Sequence, residues 1–222
     1  MMNLETLKGR VKGIFPPIAT PLTETEAFDE QGMRRLVQYL IDSGVHGLFV
    51  LGSTGEFATF TQTERQRIIE VVVDETAGRV PILANATEIG TKKTVQSARM
   101  VAETGADAMV LMVPFYFTHT ASEVMRHFKD VTASVDLPAF IYNNPESTKF
   151  NLTPEMLEEL CQEGRIVGIK DSSNDFAQFQ ELLRRFKGSE DFKVFQGEEY
   201  LLAASLLLGA AGAVLTVANA VP

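Results

Sequence analysis

A single cysteine, Cys161, stands among the 222 residues, which excludes an internal disulfide and every paired-cysteine metal or redox motif. The three histidines, His46, His119 and His127, show neither HxxxH nor HxH spacing, so the pattern gives a structural metal no support. Basic residues are in the minority, 20 against 29 acidic, leaving a formal net charge of −9. Such a chain, without a clustered basic stripe, is repelled by phosphate backbones and anionic membranes, which argues against nucleic acid as a partner. The opening MMNLETLKGR lacks the apolar core of a secretory signal, and a cytoplasmic setting is expected. No GxGxxG or GxxxxGK(S/T) fingerprint occurs, removing the usual nucleotide sites of open α/β sheets.

What is present is a globular balance, 45% hydrophobic and 22% charged, with enough apolar residues for one large α/β domain. Eight short apolar runs recur along the length: 13–18, 47–51, 81–86, 108–113, 138–142, 166–170, 193–196 and 212–217. Between them lie segments of helical periodicity with clear start signals. Asp29 precedes an apolar face of Met33, Leu36, Val37, Leu40 and Ile41. Thr61-Gln-Thr-Glu64 and Thr120-Ala-Ser-Glu123 read as capping boxes, and Thr153-Pro154 as an N-cap before a first-turn proline. Cys161 shares an apolar stripe with Met156, Leu157 and Leu160, so a buried, inert thiol is expected. The uncharged stretch Tyr200–Val221 reaches the length of a membrane span, but Gly209-Ala-Ala-Gly212 splits it into a helix-like and a strand-like piece.

Eight strand–helix units without a polar linker predict a single parallel (β/α)8 TIM barrel over residues 1–222. Such barrels usually need about 250 residues, so the chain is expected to be truncated after its eighth strand, lacking the last helix and any helical extension.

In these barrels the site gathers at the C-terminal ends of the strands. The sixth run ends Ile166-Val-Gly-Ile169 with Lys170 directly after it. An amine withdrawn from water favours its neutral, nucleophilic form, the form that attacks a carbonyl. A plainer account has Lys170 reaching solvent or pairing with Asp171 or Glu198. The fifth run ends at Tyr142, placing a phenol beside Lys170 for proton transfer, unless it merely packs at the rim. The second run ends in Gly52-Ser-Thr-Gly-Glu56, a tight loop whose backbone N–H groups suit a carboxylate, although the same string also occurs as a simple turn. All three clusters fall at strand ends, where one pocket would gather them.

Taken together, Gly52-Ser-Thr-Gly-Glu56, Tyr142-Asn-Asn-Pro145 and Gly168-Ile-Lys-Asp171 resemble the dihydrodipicolinate synthase/N-acetylneuraminate lyase superfamily. Phe15-Pro-Pro, Val113-Pro-Phe-Tyr116 and Gly197-Glu-Glu199 extend the resemblance along the chain. It implies a lyase or aldolase in which Lys170 forms a Schiff base with pyruvate or another 2-oxo acid, without metal or organic cofactor. Tyr142 would transfer protons, and Ser53 and Thr54 would bind the carboxylate and relay protons, Thr54 counting among the catalytic residues, with Gly52, Gly197 and Val214 lining the substrate site. Tyr116 matches the tyrosine that reaches into a neighbouring subunit, implying a dimer or tetramer.

The second substrate, an aldehyde, stays open. Pro145-Glu-Ser147 puts a serine where the synthases carry an arginine, so the bidentate carboxylate clamp for aspartate semialdehyde is missing. Ser53-Thr54 and Pro114-Phe115-Tyr116 look more like the sialic acid lyases, while Asp171-Ser-Ser173 and Leu215 do not. The run from Asn144 to Phe150 is similar to hydratase-aldolases. A non-catalytic 2-oxo-acid-binding barrel is the alternative of another class.

Overall fold

The computed structural model describes residues 4–162 and 164–222. Side-chain caps start four of the helices where the sequence placed them. Asp29 accepts from Gly32 N–H ahead of α2 (Glu30–Asp42). Reciprocal capping boxes open α3 (Gln62–Thr76) and α5 (Ala121–Ala133), and Thr153 caps α7 (Pro154–Cys161). Each such cap satisfies otherwise orphaned N–H groups and contributes about 1 kcal/mol. The remaining helices are α1 (Leu4–Arg10), α4 (Thr91–Thr104), the single turn α6 (Pro145–Thr148), α8 (Phe176–Arg185) and α9 (Leu202–Leu207).

The eight predicted strands all form: β1 (Gly13–Ile14), β2 (Leu48–Val50), β3 (Ile82–Asn85), β4 (Ala108–Met112), β5 (Ala139–Asn143), β6 (Ile166–Asp171), β7 (Lys193–Gln196) and β8 (Gly212–Ala213). Every pairing in the sheet is parallel, in the order β1-β8-β7-β6-β5-β4-β3-β2. The free edges of β1 and β2 meet through Phe49 N–H to Pro16 O at 3.0 Å and Ile18 N–H to Phe49 O at 3.0 Å, closing the ring. This is the (β/α)8 barrel.

Two strands, β1 and β8, are four residues shorter than the apolar runs suggested. Pro16 and Pro17 have no N–H to donate, which ends the regular β1 ladder at Ile14. Beyond Ala213 the chain leaves the sheet and turns into a short 3-10 helix, Thr216–Asn219, tied back when Asn219 donates to Pro17 O. The uncharged stretch after Tyr200 is thus divided between α9, β8 and this turn. No described helix is long and apolar enough to cross a membrane.

Strand alternation sorts the apolar residues into two cores. The outer one, between strands and helices, includes Val50, Ala84, Leu111, Ile141, Ile169 and Val194. The inner one fills the barrel with Phe15, Phe49, Leu83, Val110, Phe140, Tyr142, Phe195 and Val214, and Leu7 of α1 joins it. Phe195 meets Phe15 and Phe140 edge-on, each at 5.4 Å between ring centroids. An interior packed this way has no through-channel, which leaves the strand ends as the place for chemistry.

Candidate active site

Lys170 and Tyr142 sit opposite one another in the β5–β6 register, and both side chains enter the inner core. The lysine Nζ lies 4.1 Å from the Tyr142 ring centroid and 5.2 Å from that of Phe49. Lys170 is 6% exposed and Tyr142 4%. Electron-rich ring faces partly replace the water an ammonium loses on burial.

The plainer account of Lys170 does not hold among the described residues, because no carboxylate lies within ion-pair distance of it. Asp171 follows Lys170 but points to the opposite face of β6. There its Oδ1 accepts from Ser173 N–H at 2.7 Å and from Asn143 Nδ2 at 3.3 Å, and Oδ2 from Gln178 Nε2 at 3.3 Å. Burial raises the Asp171 pKa, and bonds to Ser173, Gln178 and Asn143 offset that only in part. Glu198 feels the Lys170 charge, yet burial and repulsion from Glu199 hold its pKa above the ordinary carboxylate value.

The phenol of Tyr142 is polarised. Burial alone would push its pKa up, but the Lys170 charge and bonds with Ser53, Lys170 and Asn144 outweigh that, and the net direction is down. Asn144 Nδ2 donates to the phenol oxygen at 3.1 Å. A phenol in this setting can give and take back a proton beside an amine.

The loop after β2 supplies the polar rim. Leu51 and Glu56 both adopt positive φ, at 57° and 56°, holding the loop in a tight turn. Gly55, Glu56 and Phe57 spend their N–H groups inside it, on Gly52 O and Ser53 O. Among the described residues, the N–H groups of Ser53 and Thr54 donate to no other group and so remain available to an anion. The Thr54 hydroxyl meets that of Thr216 at 3.2 Å, joining this loop to the one after β8.

The other predicted positions fall into place unequally. Gly52 is buried against Phe49, where a Cβ would come within 2.9 Å of the ring. Val214 packs in the inner core. Gly197, after β7, leaves room for the lysine, since a Cβ there would stand 2.0 Å from Ser172 Oγ and 3.1 Å from Lys170 Cε. Tyr116 is not gathered with them: it is 82% exposed, at φ 82°, its ring edge-on to Phe117. Cys161 is half-buried, its thiol pushed up to about 12 by burial and then by Glu158, which makes it a poor nucleophile.

Sequence reasoning passed over Phe49, Asn144 and Thr216. Strand alternation would have turned Phe49 inward, and Asn144 lay inside a motif already noted, but the meeting of Thr54 with Thr216 spans 162 positions and has no local signal.

Comparison with known proteins shows the family and the fold. The sequence profile described as "Dihydrodipicolinate synthetase family" matches residues 10–222. A 4-hydroxy-tetrahydrodipicolinate synthase of Methanospirillum hungatei is 33% identical over 213 residues, 95% of this chain and 72% of that protein. An uncharacterised DapA-like lyase of Halobacterium salinarum is 35% identical over 210 residues, 95% of this chain and 68% of that protein. Among solved structures, YagE, a prophage protein of the dihydrodipicolinic acid synthase family from E. coli K12 in complex with pyruvate, superposes with a TM-score of 0.90 at 34% identity. That match covers 94% of this chain and 71% of YagE.

Proposed function

The chain belongs to the dihydrodipicolinate synthetase family and is a lyase, and from that premise we propose that Lys170 condenses with pyruvate or another 2-oxo acid to form a Schiff base. The observation that carries the reading is the Lys170–Tyr142 pair, buried together at the strand ends with no carboxylate of the described residues within ion-pair distance of the amine. The pyruvate bound to YagE supports the choice of acid.

Neutral Lys170 Nζ attacks C2 of the 2-oxo acid, and the carbonyl oxygen takes a proton, giving a carbinolamine. A second protonation of that oxygen expels it as water and leaves the protonated imine. Tyr142 is the group placed to pass these protons, with Asn144 holding its oxygen. The free N–H groups of Ser53 and Thr54 receive the carboxylate, while Gly52, Gly197 and Val214 shape the space around it. The imine withdraws electrons, so C3 loses a proton to give an enamine, whose C3 then bonds to the carbonyl carbon of an aldehyde. Cleavage runs the same steps backwards.

Ser147 on α6 cannot make the two-pronged grip an arginine would offer a second carboxylate, which favours an aldehyde without one. Exposed Tyr116 and Phe117 suit contact with another copy, so the reading includes a dimer or tetramer in a cytoplasmic setting.

Borohydride reduction in the presence of pyruvate tests the reading. A pyruvate-sized mass on the peptide containing Lys170, absent from Lys170→Ala, is expected. Folded protein that binds pyruvate without a trapped adduct would instead mark a binding barrel.

A further inference from the structure

The face of β6 that carries Lys170 is set by an irregularity in the strand. Ile166 and Ile169 belong to the outer core, whereas Val167 belongs to the inner one. Strict alternation from Val167 would turn Ile169 inward and Lys170 outward. The register shows why it does not. Ala139 pairs with Ile166, but the next residue, Phe140, pairs with Gly168, so β6 carries one extra residue at that point. After this slip Lys170 points inward, opposite Tyr142. Gly168 permits it, since a Cβ there would come within 2.5 Å of both Lys193 O and the Phe140 ring. Bulges that re-aim a side chain are a known device beside active sites.

A slipped register needs something to hold it, and the rung after the pair supplies that. Asn143 stands opposite Asp171. The Asn143 amide donates to Asp171 Oδ1 at 3.3 Å and to Asn151 Oδ1 at 2.8 Å, and its own oxygen accepts from Leu152 N–H at 3.1 Å. Gln178 on α8 completes the circuit, donating to Asp171 and accepting from Asn151 at 2.8 Å. The backbone continues the same ladder, with Ser172 N–H on Asn143 O at 2.9 Å and Gly197 N–H on Asp171 O at 2.8 Å. The side chains of Asn143, Asp171, Asn151 and Gln178 meet on the outer face of the sheet, opposite the face that carries Lys170 and Tyr142.

We infer that Asn143 and Asp171 are positioning residues, a crossbar that locks the shifted β5–β6 register and so holds Lys170 against Tyr142. Their importance for catalysis rests on the roles proposed above for that pair, but the register device itself does not.

Two readouts on the full chain separate the two ideas: absorbance titration of tyrosine ionisation, with Tyr142→Phe identifying the Tyr142 transition, and the rate of pyruvate trapping by borohydride. Lys170 is the cation facing this phenol, and Glu198 is the carboxylate that feels the same charge. Loosening the crossbar draws Lys170 away, so Asp171→Ala and Asn143→Ala should each move the Tyr142 transition to higher pH by about half a unit or more. Trapping should slow by about tenfold or more, and Asp171→Asn, which keeps an acceptor oxygen, should stay near the parent in both readouts. An unmoved Tyr142 transition in folded Asp171→Ala overturns the inference, whatever trapping does. If Asp171→Ala does not fold, Asn143→Ala decides by the same criterion. A parent that traps no pyruvate overturns the proposed function and the catalytic role of the crossbar, while the titration still decides whether the register device exists.

Discussion

Lys170 and Tyr142 share one rung of the barrel, with the amine 4.1 Å from the ring centroid of the phenol and Phe49 closing the other side at 5.2 Å. The arrangement couples the two groups in both directions. The ammonium lowers the phenol's pKa, and the phenol's oxygen stands ready to serve a reaction at the amine.

Tyr142→Phe tests that coupling most directly. The ring keeps its edge-on packing with Phe49, 5.9 Å between centroids, so stability should change by less than about 1 kcal/mol. The proton-transferring hydroxyl is lost, and stopped-flow trapping should find imine formation slower by about 10²–10⁴-fold. A variant as fast as the parent would remove Tyr142 from the mechanism.

Gly197→Ala asks whether the space beside the lysine is required. The new methyl would meet Ser172 Oγ at 2.0 Å, Asp171 O at 2.8 Å and Lys170 Cε at 3.1 Å. Overpacking of this kind costs about 1–3 kcal/mol, readable in urea unfolding. Trapping should also slow, because the contact reaches the reacting side chain. Unchanged values in both assays would show that the loop after β7 simply moves aside.

His127 makes stability depend on pH. It is buried on α5 with Nδ1 against the Thr91 hydroxyl at 2.9 Å, and Nε2 has no partner among the described residues. Burial, then repulsion from His119, lowers its pKa to about 4. The unfolded chain takes up this proton below the ordinary value of about 6.5, so the contribution is full above that pH and is lost as pH falls toward 4. Between pH 7 and 5 the parent should lose about 2 kcal/mol more than His127→Leu does. Equal losses in chemical denaturation at the two pH values would exclude this histidine as the cause.

Arg65 is a buried cation paired with the partly exposed Glu88. The guanidinium pairs with Glu88 and also donates to Asn85 O at 3.0 Å and Ser97 Oγ at 3.3 Å, beneath the loop that follows β3. Glu88→Ala leaves that cation unpaired, and unfolding should become easier by about 2–3 kcal/mol, somewhat below a fully buried pair because Glu88 is partly exposed. Arg65→Met/Glu88→Ala should recover part of the loss, since no charge is then stranded; a double variant no more stable than Glu88→Ala would refute that explanation.

Much of the fold was legible because its determinants are local. The Thr61–Glu64 and Thr120–Glu123 caps act within four residues, and the structure forms both as capping boxes. Apolar runs located every strand, and missed their ends by more than one residue only where Pro16 and Pro17 withhold donors or where Leu215 leads into a turn.

The candidate site divides along a similar line. Lys170, Tyr142, Ser53 and Thr54 stood out because three polar clusters fall together at strand ends and match one family's motifs; each cluster alone had a plain structural reading. Their facing was a matter for the tertiary structure. Parity counted from Val167 would have pointed Lys170 at the helices, and only the extra residue in β6, visible once β5 is paired with it, turns the amine inward. Thr54 likewise finds Thr216 only after eight strands have closed into a ring. The sequence by itself determined the chemical groups, the local start of the helices capped by Asp29, Thr61, Thr120 and Thr153, and the number of strands, since each depends on neighbours in the chain. Register, facing and the crossbar of Asn143 with Asp171 depend on hydrogen bonds between distant segments, and only the assembled barrel decides those.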